Sequence, residues 1–141
     1  MTVNQISVFL ENKYGKLSEV LALLGNEHIK IIAATVADTS EFGILRLIVS
    51  DSKKAYRVLS ENNVSANLTD VLAIVTAPDA GSFAKTLAYF TKAGLSIEYM
   101  YCFSFGEKSI LILRTNNRES ALEVIRRQNL EYMNENNLIG L

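Results

Sequence analysis

The 141 residues contain one cysteine, Cys102, and one histidine, His28. A lone cysteine cannot close an internal disulfide, which fits a reducing cytoplasm. A lone histidine leaves the usual His-pair and Cys/His zinc sites impossible to assemble within one chain. Neither sign of charge is in excess: 14 basic residues stand against 15 acidic ones, for a formal net charge of −1. The basic footprint of a nucleic-acid binder is therefore missing. The first residues, Met1-Thr2-Val3-Asn4-Gln5, lack the charged and apolar regions of a signal peptide. No uncharged apolar run approaches the roughly 20 residues that span a bilayer. The expectation is a cytoplasmic protein with no metal, no cofactor, no nucleic-acid partner and no membrane partner.

What the chain does have is apolar content, 49% of its residues, enough for a buried core. It also has one device that occurs twice. An apolar, alternating run ends, the chain turns through a glycine, and an amphipathic helix follows. The first copy is Glu11-Asn12-Lys13-Tyr14-Gly15-Lys16-Leu17 and the second is Ala77-Pro78-Asp79-Ala80-Gly81-Ser82-Phe83. Such a turn leaves backbone N–H groups unpaired at the partly positive end of a helix, a natural seat for a carboxylate or another small anion.

Taken in order, residues 3–10 read as a strand, and Leu17, Val20, Leu21 and Leu24 form one apolar helical stripe. Residues 29–37 are β-branched and extended in character, and residues 38–41 are a polar turn. Residues 44–49 form a further strand, Ser50-Asp51-Ser52 starts a helix with Ala55, Val58 and Leu59 inward, and residues 64–68 close the unit. The second half repeats the order. It has a strand at 71–76, a helix with Phe83, Leu87 and Phe90 inward that Gly94 stops, and strands at 95–103 and 109–114. A helix capped by Asn116 and Asn117 carries Ala121, Val124 and Ile125, and Leu130–Met133 is expected to be the closing strand. Gly15 meets Gly81, Leu21 meets Leu87 and Ala55 meets Ala121 at an offset of sixty-six, with residues 44–49 and 109–114 aligned at sixty-five. The sequence thus predicts an α+β protein of two ferredoxin-like βαββαβ units, residues 1–69 and 70–141. Each has an antiparallel four-stranded sheet with both helices on one face.

The residues Glu11 to Leu17, with Leu24 and then Ile29-Lys30-Ile31, resemble the ACT domain family of small-molecule-binding regulatory modules, and the resemblance covers nearly the whole chain twice. The family usually shows an Asn-x-Pro-Gly-x-Leu-like turn and an apolar-Asn-Ile strand start. Tyr14 and Ala80 stand where proline is usual, Lys30 and Ser96 where asparagine is common, and Pro78 replaces the asparagine that Asn12 keeps. The two seats are therefore expected to differ in ligand preference.

The resemblance implies an amino acid or similar small ligand bound between the glycine turn of one unit and the second-strand start, often beside a neighbouring unit. In copy one the implied ligand-binding residues are Asn12, Tyr14, Gly15, Lys16, Leu17, Lys30 and Ile31. The Gly15, Lys16 and Leu17 amides would take the carboxylate, and the Asn12 side chain and the carbonyls near Lys30 the ammonium. In copy two they are Asp79, Ala80, Gly81, Ser82, Phe83, Ser96, Ile97 and Glu98, with Asp79 or Glu98 facing the ammonium. The resemblance implies no catalytic residue. It also implies a homodimer and leaves room for a regulated enzyme partner.

The remaining signals read as structure. His28 follows a helix end, where positive charge is favoured. Cys102 lies in an apolar strand as an inert buried thiol. Tyr99, Tyr101, Phe103 and Phe105 share a strand face as packing residues. The alternative function on this fold is an acylphosphatase-like hydrolase. It wants an arginine in the first turn, where this chain has Lys13 and Lys16 in copy one, and no basic residue in copy two. An RNA-binding βαββαβ module would need aromatics on the third strand, and residues 44–49 and 109–114 have none.

Overall fold

The computed structural model describes residues 1–11, 15–38 and 42–141. Two compact units emerge: Asn4–Thr69 with Leu138–Leu141, and Asp70–Asn137 with Met1–Val3. The first contains most of β1 (Thr2–Glu11), then α1 (Lys16–Asn26), β2 (Ile31–Asp38), β3 (Phe42–Val49), α2 (Ser52–Glu61) and the opening residues of β4 (Ala66–Thr76). The second contains the rest of β4, α3 (Ala80–Lys92), β5 (Ile97–Phe105), β6 (Lys108–Thr115) and α4 (Arg118–Gln128). The short α5 (Glu135–Ile139) follows.

In the first unit the strand order is β2-β3-β1-β4. β1 and β2 both run antiparallel to β3, with Ile6 opposite Leu47 and Ala34 opposite the same Leu47. In the second unit β4, β6 and β5 lie in that order, with Leu72 opposite Leu113 and Cys102 opposite Leu111. The expected closing strand at Leu130–Met133 is present in reduced form. Val75 donates to the Glu131 carbonyl and Met133 to that of Ala73, both at 2.9 Å, around an antiparallel bridge between Ile74 and Tyr132. Each unit therefore has the fourth-first-third-second strand order of the split βαβ arrangement, built on an antiparallel ladder.

β4 serves twice. Its first residues close the first unit and its later ones open the second, so two strands at 64–68 and 71–76 were expected and one continuous strand of 11 residues is found. Nothing between Leu68 and Val71 breaks it, because Thr69 and Asp70 carry no turn chemistry strong enough to stop a ladder that both flanks favour.

The helices explain the burial. In the first unit Val20 and Leu24 of α1 and Ala55 and Leu59 of α2 pack on Ile6, Val8 and Leu10 of β1 and Leu45, Leu47 and Val49 of β3. In the second, Phe90, Ala121, Val124 and Ile125 pack on Leu72, Ile74, Leu111 and Leu113. Each fully buried Leu, Ile or Phe contributes about 1.5–3 kcal/mol of transfer free energy. The register corrects one alignment. Phe9 faces Ile44 and Val75 faces Ile110, so the third strands correspond at sixty-six, like the rest of the repeat, and not at sixty-five. A slip of one would turn every core side chain of the strand to the wrong face.

All four long helices end the same way. His28, Asn63, Gly94 and Asn129 adopt left-handed backbone with φ of 56°, 60°, 78° and 51°. The residue after each returns its amide to a carbonyl one turn back: Ile29 to Leu24, Val64 to Leu59, Leu95 to Phe90 and Leu130 to Ile125. That pattern satisfies the last carbonyls of the helix and drops an apolar side chain onto its end.

α5 starts on a cap of its own. Asn134 and Asn137 form a reciprocal cap, each side-chain oxygen accepting from the other's amide at 2.9 and 3.2 Å, and Leu138 is buried.

Candidate functional site

The two glycine bends differ in the structure. At the first, Gly15 stands at the N-terminus of α1 with φ 82°, and no side chain caps the helix. The first intrahelical bond is Glu19 N–H to the Gly15 carbonyl at 3.0 Å, so the amides of Lys16, Leu17 and Ser18 precede it and meet no acceptor among the described residues. A cavity of about 390 Å³ opens beside this first turn. Its walls combine apolar groups (Phe9, Leu10, Val20, Phe42, Val64) with Lys16, Glu19, Asn62 and Asn63. Lys16 and Glu19 form an ion pair at 3.5 Å across one helical turn. This volume and mixed lining are those of a small-molecule pocket. Leu17, expected in the inward stripe, is instead 37% exposed, because Val20 and Leu24 already fill the face turned to the sheet. Asn12, Lys13 and Tyr14 lie outside the described residues, as do Thr39, Ser40 and Glu41 of the expected turn.

At the second bend the helix starts two positions earlier in the repeat. Asp79 is the N-cap, Ala80 begins α3, and Gly81 lies within its first turn with no left-handed backbone to serve. Asp79 Oδ1 accepts from the Ser82 amide at 2.8 Å, and Oδ2 accepts from the Ser82 hydroxyl at 2.8 Å. These bonds, the amide first and the hydroxyl second, hold the Asp79 carboxyl below its ordinary range, since both favour the charged form. The donor expected of Ser82 is thus engaged by the chain's own carboxylate, and Asp79 faces the helix amides. The sequence signal was Asp79 three residues before Ser82, an N-cap spacing.

The strand starts are at the far end of each unit. Glu11 pairs with Phe42 and Ile31 with Val49, so the length of β3 separates the Gly15 bend from Lys30 and Ile31, about 23 Å at some 3.3 Å per residue. Within one unit, Gly15, Lys16 and Leu17 are brought together and Lys30 and Ile31 are not. The Lys30 amide donates to Ser50 Oγ at 3.0 Å, its carbonyl accepts from the Ser50 amide at 2.9 Å, and its amine donates to the Leu141 carbonyl. Ser96 repeats this with Asn116: its amide donates to the Asn116 side-chain oxygen at 3.0 Å, and its carbonyl accepts the Asn116 amide at 3.2 Å. Ile97 pairs with Thr115, and Glu98 follows at a bulge, lining a separate cleft. Asp79, Ala80, Gly81, Ser82 and Phe83 are at the other end, where Thr76 pairs with Ser109.

With the geometry in place, relatives can be compared. A family model described as an ACT domain pair matches residues 1–141. The chain belongs to the ACT domain pair family. Protein BT0572 from Bacteroides thetaiotaomicron is similar over 100% of this chain and 98% of its own, with 38% identity and a TM-score of 0.94. The regulatory subunit of aspartate kinase from Thermus thermophilus, solved ligand-free, matches with a TM-score of 0.62 at 18% identity, over 88% of this chain and 91% of its own. The corresponding subunit from Thermus flavus gives 0.58 at 20% identity, over 88% and 90%. These last two likenesses show the ACT fold. No protein with a curated description matches the chain.

An ACT pair is a regulatory, ligand-binding kind of module. Among the described residues no three His, Cys, Asp or Glu side chains gather to hold a metal, and no helix is long and apolar enough to cross a membrane. The cavity residues that sequence reasoning missed, Phe9, Glu19, Phe42, Asn62 and Asn63, come from four elements of this ACT unit, so no local spacing announces them. Cys102 corrects a further expectation: it is exposed, because the helices of its unit cover β4 and β6 and leave the edge strand β5 bare.

Proposed function

We propose that this ACT pair is a sensor that binds a free α-amino acid at the first unit's bend. The observation that carries the reading is the uncapped start of α1 at Gly15 beside an amphipathic cavity, against the self-capped start of α3. The Lys16 and Leu17 amides receive the ligand carboxylate, with Lys16 adding positive charge, and Glu19 faces the ammonium. The apolar wall of Phe9, Phe42 and Val64 takes the side chain. Lys30 and Ile31 join this site only from a second copy of the chain, which is the reason to propose a homodimer, and binding is read out by an enzyme partner in the cytoplasm. The two-unit division at residues 69 and 70 is part of this proposal.

Thermal unfolding of the full chain in the presence of each of the twenty amino acids tests it. A ligand at one hundred times its Kd adds about 2.7 kcal/mol to the folded state. At least one amino acid raises the Tm and Lys16→Glu abolishes that rise; no rise with any of the twenty contradicts the reading.

A further inference from the structure

Three elements of the chain are each divided between the two units. Thr2 and Val3 of β1 belong to the second unit and residues 4–11 to the first, β4 divides between Thr69 and Asp70, and α5 divides between Asn137 and Leu138. Domain boundaries ordinarily fall in exposed, flexible linkers. Here every boundary falls inside a strand or a helix. Residues near the ends of a domain also fray unless something ties them down, and these are tied. Met1 packs on the core of the second unit, and Val3 is 1% exposed. Leu138 is fully buried, and the Leu141 carbonyl accepts from the Lys30 amine of the first unit. Met1–Val3 thus precede the first unit in sequence and belong to the second, while Leu138–Leu141 follow the second and belong to the first.

This division sets what a local opening must give up. Proteins open locally in contiguous cooperative units, cheaply where little is buried. Opening the first unit unseats Leu138, the buried residue of α5, although α5 begins in the second unit. It also breaks β4 at Asp70, directly ahead of the buried run from Val71 to Val75. Opening the second unit unseats Met1 and Val3, and with them the start of β1, whose later residues pair with β3 in the first. Neither opening stops at a loop. Each reaches into an element that the other unit also uses.

We infer that the two units open and fold as one cooperative system, with β1, β4 and α5 carrying a change in the stability of either unit to the other. A ligand held by either unit then stabilises both, because a ligand that binds only the folded state shifts the whole folding equilibrium. The inference is independent of the Gly15 seat and stands whether or not that seat is filled.

The test is native-state hydrogen exchange of the ¹⁵N-labelled full chain in a series of low urea concentrations. The slowest amides of β3 report the first unit and those of β6 the second. In the unsubstituted chain both sets are expected to open with one common free energy and one common urea dependence. Val20→Ala hollows the core of the first unit and Val124→Ala that of the second. Each is expected to speed both sets by the same factor, about tenfold. Leu138→Ala, in a segment that follows the second unit in sequence, is expected to speed the β3 set as much as the β6 set. Exchange that speeds only in the substituted unit, two distinct opening free energies in the unsubstituted chain, or a β3 set unmoved by Leu138→Ala overturns the inference.

Discussion

Asp79 Oδ1 stands 2.8 Å from the Ser82 amide nitrogen, so the second helix bend carries its own carboxylate where the first, at Gly15, carries no side-chain cap. One repeat has thus become a closed structural turn while the other keeps its amide donors exposed. The titration of Asp79 makes this measurable. Its folded-state pKa is depressed by the Ser82 amide and hydroxyl, so its contribution to stability is present above the ordinary value of 3.8 and is lost as pH falls through the folded value. Asp79→Ala therefore lowers the Tm by a few degrees near neutral pH. The gap to the parent closes as pH falls through the folded-state value, below 3.8, in a pH series of thermal scans.

His28 and Gly94 hold the same left-handed helix end sixty-six residues apart, one with a side chain and one without. Relief of the Cβ clash predicts that His28→Gly is neutral to stabilising, by up to about 1 kcal/mol, and that Gly94→Ala costs about 1–2 kcal/mol. Urea denaturation of the two variants reads both signs.

Leu24 and Phe90 occupy matching core positions, 1% and 0% exposed, each accepting the amide that closes its helix. Leu24→Ala is expected to cost about 2–5 kcal/mol and Phe90→Ala about 3–5 kcal/mol, by lost transfer energy and the cavity left behind. Chemical denaturation followed by far-UV circular dichroism measures each.

Cys102 is an exposed thiol on an edge strand. One equivalent reacts with a thiol reagent in the folded protein, at a rate close to that of the unfolded chain; protection in the native state contradicts this placement.

The fold was readable because period-two and period-3.6 patterns agree with the turns at each level, and the duplication repeats the βαββα core of the unit. Leu24, Ala55, Val58, Leu59, Ala121 and Ile125 were all expected inward and are buried. The misreadings share a physical origin in non-local pairing. β4 is continuous because both units use the one segment as a strand, and Cys102 is exposed because helix coverage stops short of the edge strand. The site was legible as a glycine bend and illegible as a cavity. Gly81 looks like Gly15 in the one-dimensional repeat, yet Asp79 moves the helix start back two residues and removes the bend. Phe42, at the start of β3, and Asn63, after the end of α2, line the same pocket although they are far apart in the chain.

The difference between the two bends is tested most directly by following the amide signals of Gly15, Lys16 and Leu17 beside those of Gly81, Ser82 and Phe83 while each amino acid is added to the ¹⁵N-labelled chain. The first set is predicted to shift and saturate with at least one of them while the second set stays in place. Movement of the Ser82 and Phe83 signals with the first set still, or stillness of both sets under all twenty, would contradict it.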